Sequence, residues 1–153
     1  MSKTFAIDIP CDSGGYVRFE CPYCHSEFKL LPDEFQPEGA STEELFCPYC
    51  GLVSGSSNFF TQDVVNLAET IAANYMIDEL NSSFGAMAND INRSGNGLIK
   101  MTYKPLKKAN TKELVENDTV ETVFTCLCCG NHEKVLYCAG ASKIFCAYCG
   151  VDI

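Results

Sequence analysis

The sequence contains no tryptophan, has few basic residues and has no long apolar run. Among its 153 residues, 20 are acidic and 11 are lysine or arginine, which gives a formal net charge of −9. Non-specific binding of nucleic acid depends on Lys and Arg neutralising phosphates, so this charge argues against a general nucleic-acid coat protein. A membrane-spanning helix needs about 20 consecutive apolar residues, and no stretch of the chain approaches that length. We therefore expect no membrane segment.

The first ten residues lack the apolar core of a secretion signal. Asp8 and Pro10 interrupt them before such a core can form. We therefore expect a cytoplasmic protein, and disulfides rarely persist in that compartment. Spaced cysteine pairs in a reducing compartment are more often metal ligands.

Histidine is also scarce, and this limits the catalytic chemistry that can be assigned. The two histidines, His25 and His132, each lie beside a cysteine pair. A catalytic thiol needs a neighbouring base and a lowered pKa, and the sequence offers no set of nucleophile, base and orienting acid. We predict no catalytic residues, and an enzyme is not expected.

Cysteine, in contrast, is abundant, with 11 residues. Eight of the cysteines form four pairs, each with two residues between the sulfur-bearing positions. The pairs are Cys21 and Cys24, Cys47 and Cys50, Cys126 and Cys129, and Cys146 and Cys149. The first two pairs are 22 residues apart and the last two are 16 residues apart. This internal repeat predicts two sites, each with four thiolates.

The spacing within each pair suits a metal ligand turn. Two intervening residues allow both thiolates to face one ion, and a glycine after the second cysteine favours a left-handed backbone. Three pairs continue into Gly51, Gly130 and Gly150, and the other continues into His25. Four thiolates at about 2.3 Å form a closed tetrahedral zinc site. We predict two structural Zn²⁺ ions per chain, with iron–sulfur or redox dithiol chemistry as the alternatives.

The Cys-Pro-Tyr-Cys sequences at 21–24 and 47–50 resemble the knuckles of zinc ribbons. Ribbons of this type occur in transcription factor IIB, RNA polymerase subunits and rubredoxin-like proteins, and the first half is similar to bacterial zinc-ribbon proteins of the transcription-factor-IIB type. The resemblance covers the two cysteine-rich parts and not the middle of the chain. It implies a fold and a ligand set, because ribbons serve many unrelated functions.

We therefore predict a small metal-bound α+β fold, in which a long central helix connects two three-stranded zinc-ribbon lobes. The expected domains are an N-terminal ribbon at 1–60, a helical connector at 61–97, and a basic strand with the C-terminal ribbon at 98–153. Alternating or apolar runs predict strands at 4–10, 16–20, 27–30, 44–46, 119–125, 134–138 and 142–145.

The middle of the chain carries the helical pattern, without proline from Asp63 to Asn92. Its apolar residues fall into two stripes, since Val64 and Leu80 differ by about 160° around a helix. We expect the helix to break near Asp78 or its halves to pack on different surfaces. The second stripe covers the C-terminal ribbon, or it binds a protein partner or a second copy of the chain. Its residues are Leu80, Phe84, Met87 and Ile91.

Residues 98–112 contain five lysines and no acid, and their first half alternates like a strand. One interpretation is a basic edge that binds nucleic acid, and the other is a strand edge that lysines protect from pairing. The nucleic-acid candidates are Lys100, Lys104, Lys107 and Lys108. The net charge of −9 makes nucleic-acid binding the less favoured interpretation.

These patterns together predict a non-enzymatic zinc-binding adaptor with a protein partner, and a homodimer through the central helix is one form that this partnership can take. The alternatives are a nucleic-acid-binding or transcription-associated ribbon protein, and a redox or metal-storage protein. Three cysteines remain outside the pairs, namely Cys11, Cys128 and Cys138. Cys128 is expected to be a spacer in its turn, with its replacement of Cys126 as a ligand as the alternative.

Overall fold

The computed structural model describes residues 3–38, 40, 42–95, 97–116, 121–136 and 143–153. The chain forms two compact units, and each combines segments that are distant in sequence. The helical unit contains Met1–Ile7 and Val65–Glu113, and the ribbon unit contains Asp8–Val64 and Leu114–Ile153. Both cysteine-rich halves therefore lie in one unit, whereas the expected domains followed the order of the chain. No helix in the described ranges is long and apolar enough to cross a membrane.

The ribbon unit contains six short strands. They are β1 at Val17–Glu20, β2 at Glu27–Leu30, β3 at Glu44–Phe46, β4 at Val53–Gly55, β5 at Thr122–Thr125 and β6 at His132–Val135. A short helix, α1, spans Pro32–Phe35, and a 3-10 turn spans Ser56–Phe59. Every strand has three or four residues, so the unit depends on contacts between strands and not on any single hairpin.

Four of the strands form one antiparallel sheet in the order β1-β2-β6-β5. The hairpins of the two halves meet at its centre, where Lys29 lies opposite Lys134 and Leu30 opposite Glu133. Pairing β2 with β6 satisfies the backbone groups of both inner edges, which separate hairpins would leave open. The predicted pair of three-stranded lobes is thus only partly matched.

The remaining predicted strands also differ from the expected ribbons. Strand β3 pairs with β4 in a separate two-stranded sheet, and Phe145 makes only an isolated bridge to Asp152. Residues 4–10 are not a strand in the structure. Parts of the strands expected at 119–125, 134–138 and 142–145 lie outside the described residues.

The two halves of the ribbon unit are related by an approximate two-fold axis. Lys29 and Lys134 each follow the second cysteine of their pair by five residues, and they face each other across the centre of the sheet. The amide of Phe46 donates to the carbonyl of Ala147 at 2.8 Å, and the amide of Phe145 donates to the carbonyl of Pro48 at 2.9 Å. These bonds are reciprocal. Each phenylalanine directly precedes the cysteine pair of its own half, and each acceptor lies between the two cysteines of the pair in the other half. The chain therefore packs its repeats like a symmetric dimer.

One face of the four-stranded sheet covers an apolar core. The buried side chains include Phe19, Phe28, Leu30, Leu45, Phe59 and Val135. Phe28 contacts Phe19 and Phe59, with ring centroids 6.0 and 5.9 Å apart. This aromatic packing adds to the apolar area removed from water.

A buried ionic network occupies the opposite face of the sheet, around the two central lysines. Lys29 is fully buried and lies 3.2 Å from Asp12 and 3.4 Å from Glu116, and Lys134 lies 2.9 Å from Asp12. Burial alone would raise the pKa of Asp12. Hydrogen bonds from Lys134, the amide of Tyr16 and Lys29 outweigh it and lower that pKa to about 2. A shared carboxylate thus offsets the two like charges at the two-fold axis.

The helical unit is built on α2, which runs without interruption from Gln62 to Ser94. The break near Asp78, which was one of the two expected arrangements, does not occur. The helix can continue past Asp78 because the residues that follow it return along α2 and cover part of its length. We call residues 98–113 the strap. The strand predicted for the first half of the strap is wrong, since its backbone bonds to side chains of α2 and not to another strand.

Three asparagines of α2 hold the strap by paired hydrogen bonds to its backbone. The side-chain amide of Asn92 bonds both the N–H and the carbonyl of Met101, each at 2.9 Å. Asn81 does the same with Leu106 at 2.8 and 3.0 Å. The third pair joins Asn74 to Ala109, with both bonds at 2.9 Å. Each amide therefore replaces the neighbouring strand that an extended segment normally requires.

The residue after each cysteine pair has a positive φ, and two of these glycines allow a test of local packing. The φ angles are 75° at Gly130 and 73° at Gly150. A Cβ at Gly130 would meet nothing within 4 Å, but one at Gly150 would lie 2.8 Å from the Phe46 ring. We expect Gly130→Ala to lower the free energy of unfolding by about 1 kcal/mol, and Gly150→Ala to lower it by about 1–3 kcal/mol more. Urea unfolding of the metal-saturated variants measures both, and equal losses would contradict the packing of Phe46 on Gly150.

Candidate metal centres

All four cysteine pairs fold into the same backbone turn. In each turn, the backbone N–H of the first cysteine donates to the carbonyl of the residue five positions later. The backbone N–H of the residue four positions later donates to the carbonyl of that same cysteine. The first set of bonds joins Cys21 to Ser26, Cys47 to Leu52, Cys126 to Asn131 and Cys146 to Val151, at 2.8–3.0 Å. The residues that donate back are His25, Gly51, Gly130 and Gly150, and all four have a positive φ. The predicted left-handed position is confirmed, and His25 adopts it at 59° despite its side chain.

The turns bring the eight cysteines together in two clusters, as predicted. Within each cluster the four sulfur atoms lie within 4.8 Å of one another. The close approaches are 3.7 Å for Cys21 and Cys50, 3.6 Å for Cys24 and Cys47, 3.6 Å for Cys126 and Cys149, and 3.5 Å for Cys129 and Cys146. These separations exceed the S–S bond of about 2.05 Å in a disulfide.

The same separations fit a tetrahedral metal site. Four thiolates about 2.3 Å from one ion would lie about 3.8 Å from each other, and the close approaches of 3.5–3.7 Å are near that value. Each cluster can therefore hold a metal ion and is compatible with zinc. The sulfur geometry favours Cys126 over Cys128 as the ligand, because Cys126 is buried within its cluster whereas Cys128 is exposed and is not one of the four clustered cysteines.

The protein supplies some compensation for negative charge on the sulfurs, but not enough at Cys47 and Cys146. The Tyr49 and Cys50 amides both donate to the Cys47 sulfur at 3.4 Å. Burial nevertheless raises the pKa of Cys47 and of Cys146 far above the usual range of a thiol. Burial also acts against the thiolate of Cys24, but hydrogen bonds from Ser26 outweigh it and lower the pKa to about 7. A divalent cation would remove the remaining penalty by favouring the charged form at every sulfur.

The two centres are coupled through reciprocal aromatic contacts. A Cβ at Gly51 would lie 3.2 Å from the ring of Phe145, and one at Gly150 would lie 2.8 Å from the ring of Phe46 in the other half. Each ring comes from the strand region that leads into one cysteine pair and packs on the turn of the other. Disturbing one cluster should therefore reach the second through these rings.

Several polar residues that join the halves were not identified by the sequence analysis. Glu34 accepts the His132 amide at 2.7 Å and contacts its Nδ1 at 2.6 Å. The hydroxyl of Tyr49 donates to the Glu27 carbonyl and accepts the Leu136 amide, both at 2.8 Å. The sequence feature that could have identified Tyr49 is the recurrence of tyrosine directly before the second cysteine of a pair. No sequence feature could have identified Glu34, because its partner His132 is distant in the chain.

A buried carboxyl lies against the second cluster. Glu133 accepts the Ala147 amide at 2.8 Å through one oxygen, and its other oxygen has no hydrogen-bond partner among the described residues. Burial raises the pKa of Glu133 to about 7. Ala147 follows Cys146 directly, so Glu133 helps to orient the turn that carries that cysteine.

The remaining candidate residues belong to the helical unit. Leu80, Phe84 and Met87 are 41%, 39% and 50% exposed, and Ile91 is half-buried. The four lysines proposed for nucleic acid, at positions 100, 104, 107 and 108, lie on the exposed strap, and Lys108 pairs with Asp78 at 3.0 Å. Cys11 is exposed, and Cys138 lies outside the described residues.

Comparisons with protein-family models, with curated proteins and with solved structures gave no match for this chain. The two centres are therefore defined by their sulfur geometry and by the hydrogen bonds of the four turns.

The ligand assignment at the second cluster can be tested with two adjacent cysteines. We expect Cys126→Ser to lower the number of bound metal ions from two to one per chain, because it removes one of four buried donors. Cys128→Ser is the matched control and should retain both ions, since its side chain is exposed outside the cluster. Native mass spectrometry counts the ions directly. Loss of an ion in Cys128→Ser alone would show that the ligand set is wrong.

The raised pKa of Glu133 predicts a pH-dependent gain in stability for Glu133→Gln. The folded chain holds the proton up to about pH 7, whereas the unfolded chain releases it near the ordinary glutamate pKa of 4.5. Wild-type stability therefore falls between these pH values relative to the glutamine variant, by on the order of 2–3 kcal/mol at pH 8 and by less at pH 5.5. Urea unfolding at both pH values measures the difference. The exposed Glu44→Gln serves as control, and an advantage for Glu133→Gln that is independent of pH would refute this origin.

Proposed function

We propose that this protein is a non-enzymatic zinc-binding adaptor. Two structural Zn²⁺ ions hold the ribbon unit together, and the helical unit binds a protein partner. The observation that carries the proposal is a row of large apolar side chains exposed on α2, in a chain whose cysteine clusters are closed. Met76, Leu80, Phe84 and Met87 are 39–63% exposed.

The choice of zinc follows from the donor set. Four thiolates in a near-tetrahedral arrangement suit Zn²⁺, which has no redox chemistry and no preference for another geometry. Cys21, Cys24, Cys47 and Cys50 would hold one ion, and Cys126, Cys129, Cys146 and Cys149 the other. Such an ion supplies about 10–16 kcal/mol of apparent binding energy, which is also folding energy in small modules. Strands of three or four residues need this support.

We propose no catalytic reaction at these sites, because the same ligand sets leave no position for a substrate. When four cysteines surround one ion, its tetrahedral coordination is complete and a substrate has no position to occupy. The two histidines have other contacts: His132 contacts Glu34 at 2.6 Å, and His25 lies 3.4 Å from Glu20. Neither contact builds the thiol and imidazole pair that nucleophilic catalysis uses.

The helical unit is the part best suited to bind another protein. It contains seven basic and five acidic residues, a net charge of +2, whereas the ribbon unit contains four and fifteen, a net charge of −11. Exposed rows of apolar side chains are characteristic of protein interaction sites. We do not extend the proposal to nucleic acid, because Lys108 is already paired and the whole chain carries a net charge of −9.

Photo-crosslinking of the full-length zinc-loaded protein tests the adaptor role. A photoreactive phenylalanine analogue at position 84, on the apolar row, should give a discrete crosslinked species when it is activated in the producing cells. The same analogue at position 86, which is exposed on another face of α2, is the control and should give none. Equal crosslinking at both positions, or none at 84, would reject the adaptor role. Zinc content measured on the same sample tests the metal assignment separately.

A further inference from the structure

We propose that Cys128 is a site of oxidation by hydroperoxides and that Cys149 is the cysteine with which it then forms a disulfide. This disulfide removes one ligand from the second cluster, so the metal content of the ribbon unit becomes sensitive to oxidation. The inference rests on the proposed function, because it describes how one of the two metal sites is regulated.

Cys128 belongs to a ligand turn although it is not one of the four clustered cysteines. It lies between Cys126 and Cys129. Burial acts against the Cys126 thiolate, but backbone hydrogen bonds from Cys129 and Cys128 contribute to lowering the pKa of Cys126 to about 7. Tyrosine occupies the third position of the other three turns. The second cluster is therefore the one with a fifth thiol in a ligand turn.

The Cys128 side chain is exposed and lies beside one of the ligands. Its pKa is raised chiefly by Cys149, through a hydrogen bond and through charge, and such a bond requires the two thiols to be neighbours. Both effects weaken when the Cys149 charge is shared with a bound cation. Cys149 is half-buried, whereas Cys126 and Cys146 are buried. Cys149 is thus the ligand that Cys128 can reach.

The two thiols differ in their reactivity toward an oxidant. A cysteine sulfur that shares its electron pair with a metal ion is a weaker nucleophile, and Cys128 lies outside the four-sulfur site. Redox-sensitive cysteines are accessible to solvent and lie next to a second thiol that captures the oxidised sulfur. Cys128 meets both conditions. Cys11 meets only the first, because it is exposed but belongs to neither cluster.

The reaction takes two steps, with a hydroperoxide as the oxidant. The Cys128 thiolate attacks a peroxide oxygen, so an S–O bond forms, the O–O bond breaks, and hydroxide or alkoxide leaves. The Cys149 sulfur attacks the resulting sulfenic acid, which forms the S–S bond and releases hydroxide. The two sulfurs together lose two electrons, the peroxide gains two, and both leaving groups take protons from water.

The disulfide leaves the second cluster with three ligands. Cys126, Cys129 and Cys146 cannot complete a tetrahedral four-thiolate site, so the affinity for the ion falls. The first cluster keeps all four of its ligands, because Tyr23 stands where the second cluster has Cys128. Oxidation should therefore release one ion per chain, and reduction in the presence of zinc should restore it.

Peroxide treatment of the zinc-loaded full chain tests the proposal. Hydrogen peroxide should lower the bound zinc from two ions to one, counted by native mass spectrometry, and fragmentation of the linked peptides should identify a Cys128–Cys149 disulfide. Cys128→Ser should lose that ion roughly tenfold more slowly, because the attacking thiol is absent. Cys11→Ser removes the exposed cysteine outside the clusters and is the matched control, which should behave like the wild type.

Tyr23→Cys provides the converse test, because it places a thiol at the equivalent position of the first cluster. This variant should lose both ions under the same treatment, and retention of the first ion would overturn this position as the determinant of sensitivity. Equal rates of loss in Cys128→Ser and the wild type, or a disulfide between other cysteines, would overturn the proposal. Fewer than two zinc ions before treatment would instead count against the proposed function.

Discussion

The convergence of four sulfur atoms at each of two points is the constraint on which the rest of the ribbon unit depends. Cys47 and Cys146 are almost completely buried, and a buried thiolate is strongly disfavoured without a compensating positive charge. The backbone amides of each turn supply part of that compensation, and a divalent cation would supply the rest. The strands on either side are too short to determine the position of these turns. The sulfur clusters determine where each hairpin begins and which strands can meet.

The two-fold relation between the halves creates a second constraint. It places Lys29 opposite Lys134 at the centre of the sheet, where like charges would normally repel. The Asp12 carboxylate lies 3.2 Å from Lys29 and 2.9 Å from Lys134, so one carboxylate neutralises part of the charge on both. A shift in the β2–β6 register would move at least one of these lysines away from the shared carboxylate, and losing an ion-pair contact is far more costly for a buried charge than for an exposed one. The ionic network therefore helps to define a single register.

The helical unit is held together by weaker and more exposed contacts. The strap depends on paired hydrogen bonds from three asparagines of α2 and on the packing of Tyr103 against Phe84. Hydrogen bonds exposed to water contribute little net stability, and few side chains of this unit are fully buried. The chain thus combines a ribbon unit built around two cysteine clusters with a helical unit that leaves apolar surface uncovered.

The ligand sets could be predicted from the sequence because a Cys-x-x-Cys turn is a local structure. Two intervening residues and a following glycine fix the backbone almost independently of the rest of the chain. The sequence predicted a long helix but left open whether it breaks near Asp78, because the hydrogen bonds that join α2 to the strap connect residues far apart in the chain. The sequence likewise could not show that Cys126 and not Cys128 belongs to the second cluster, because this depends on which of the two side chains the folded turn directs inwards.

The sequence by itself determined the eight cysteines, their grouping in fours and the presence of a long helix, since all of these depend on spacing over a few residues. Only the tertiary structure decided that two hairpins share one sheet, that Asp12 lies between two lysines and that asparagines support the strap. These contacts join residues far apart in the chain, and short-range patterns carry no information about which distant backbone edges will meet.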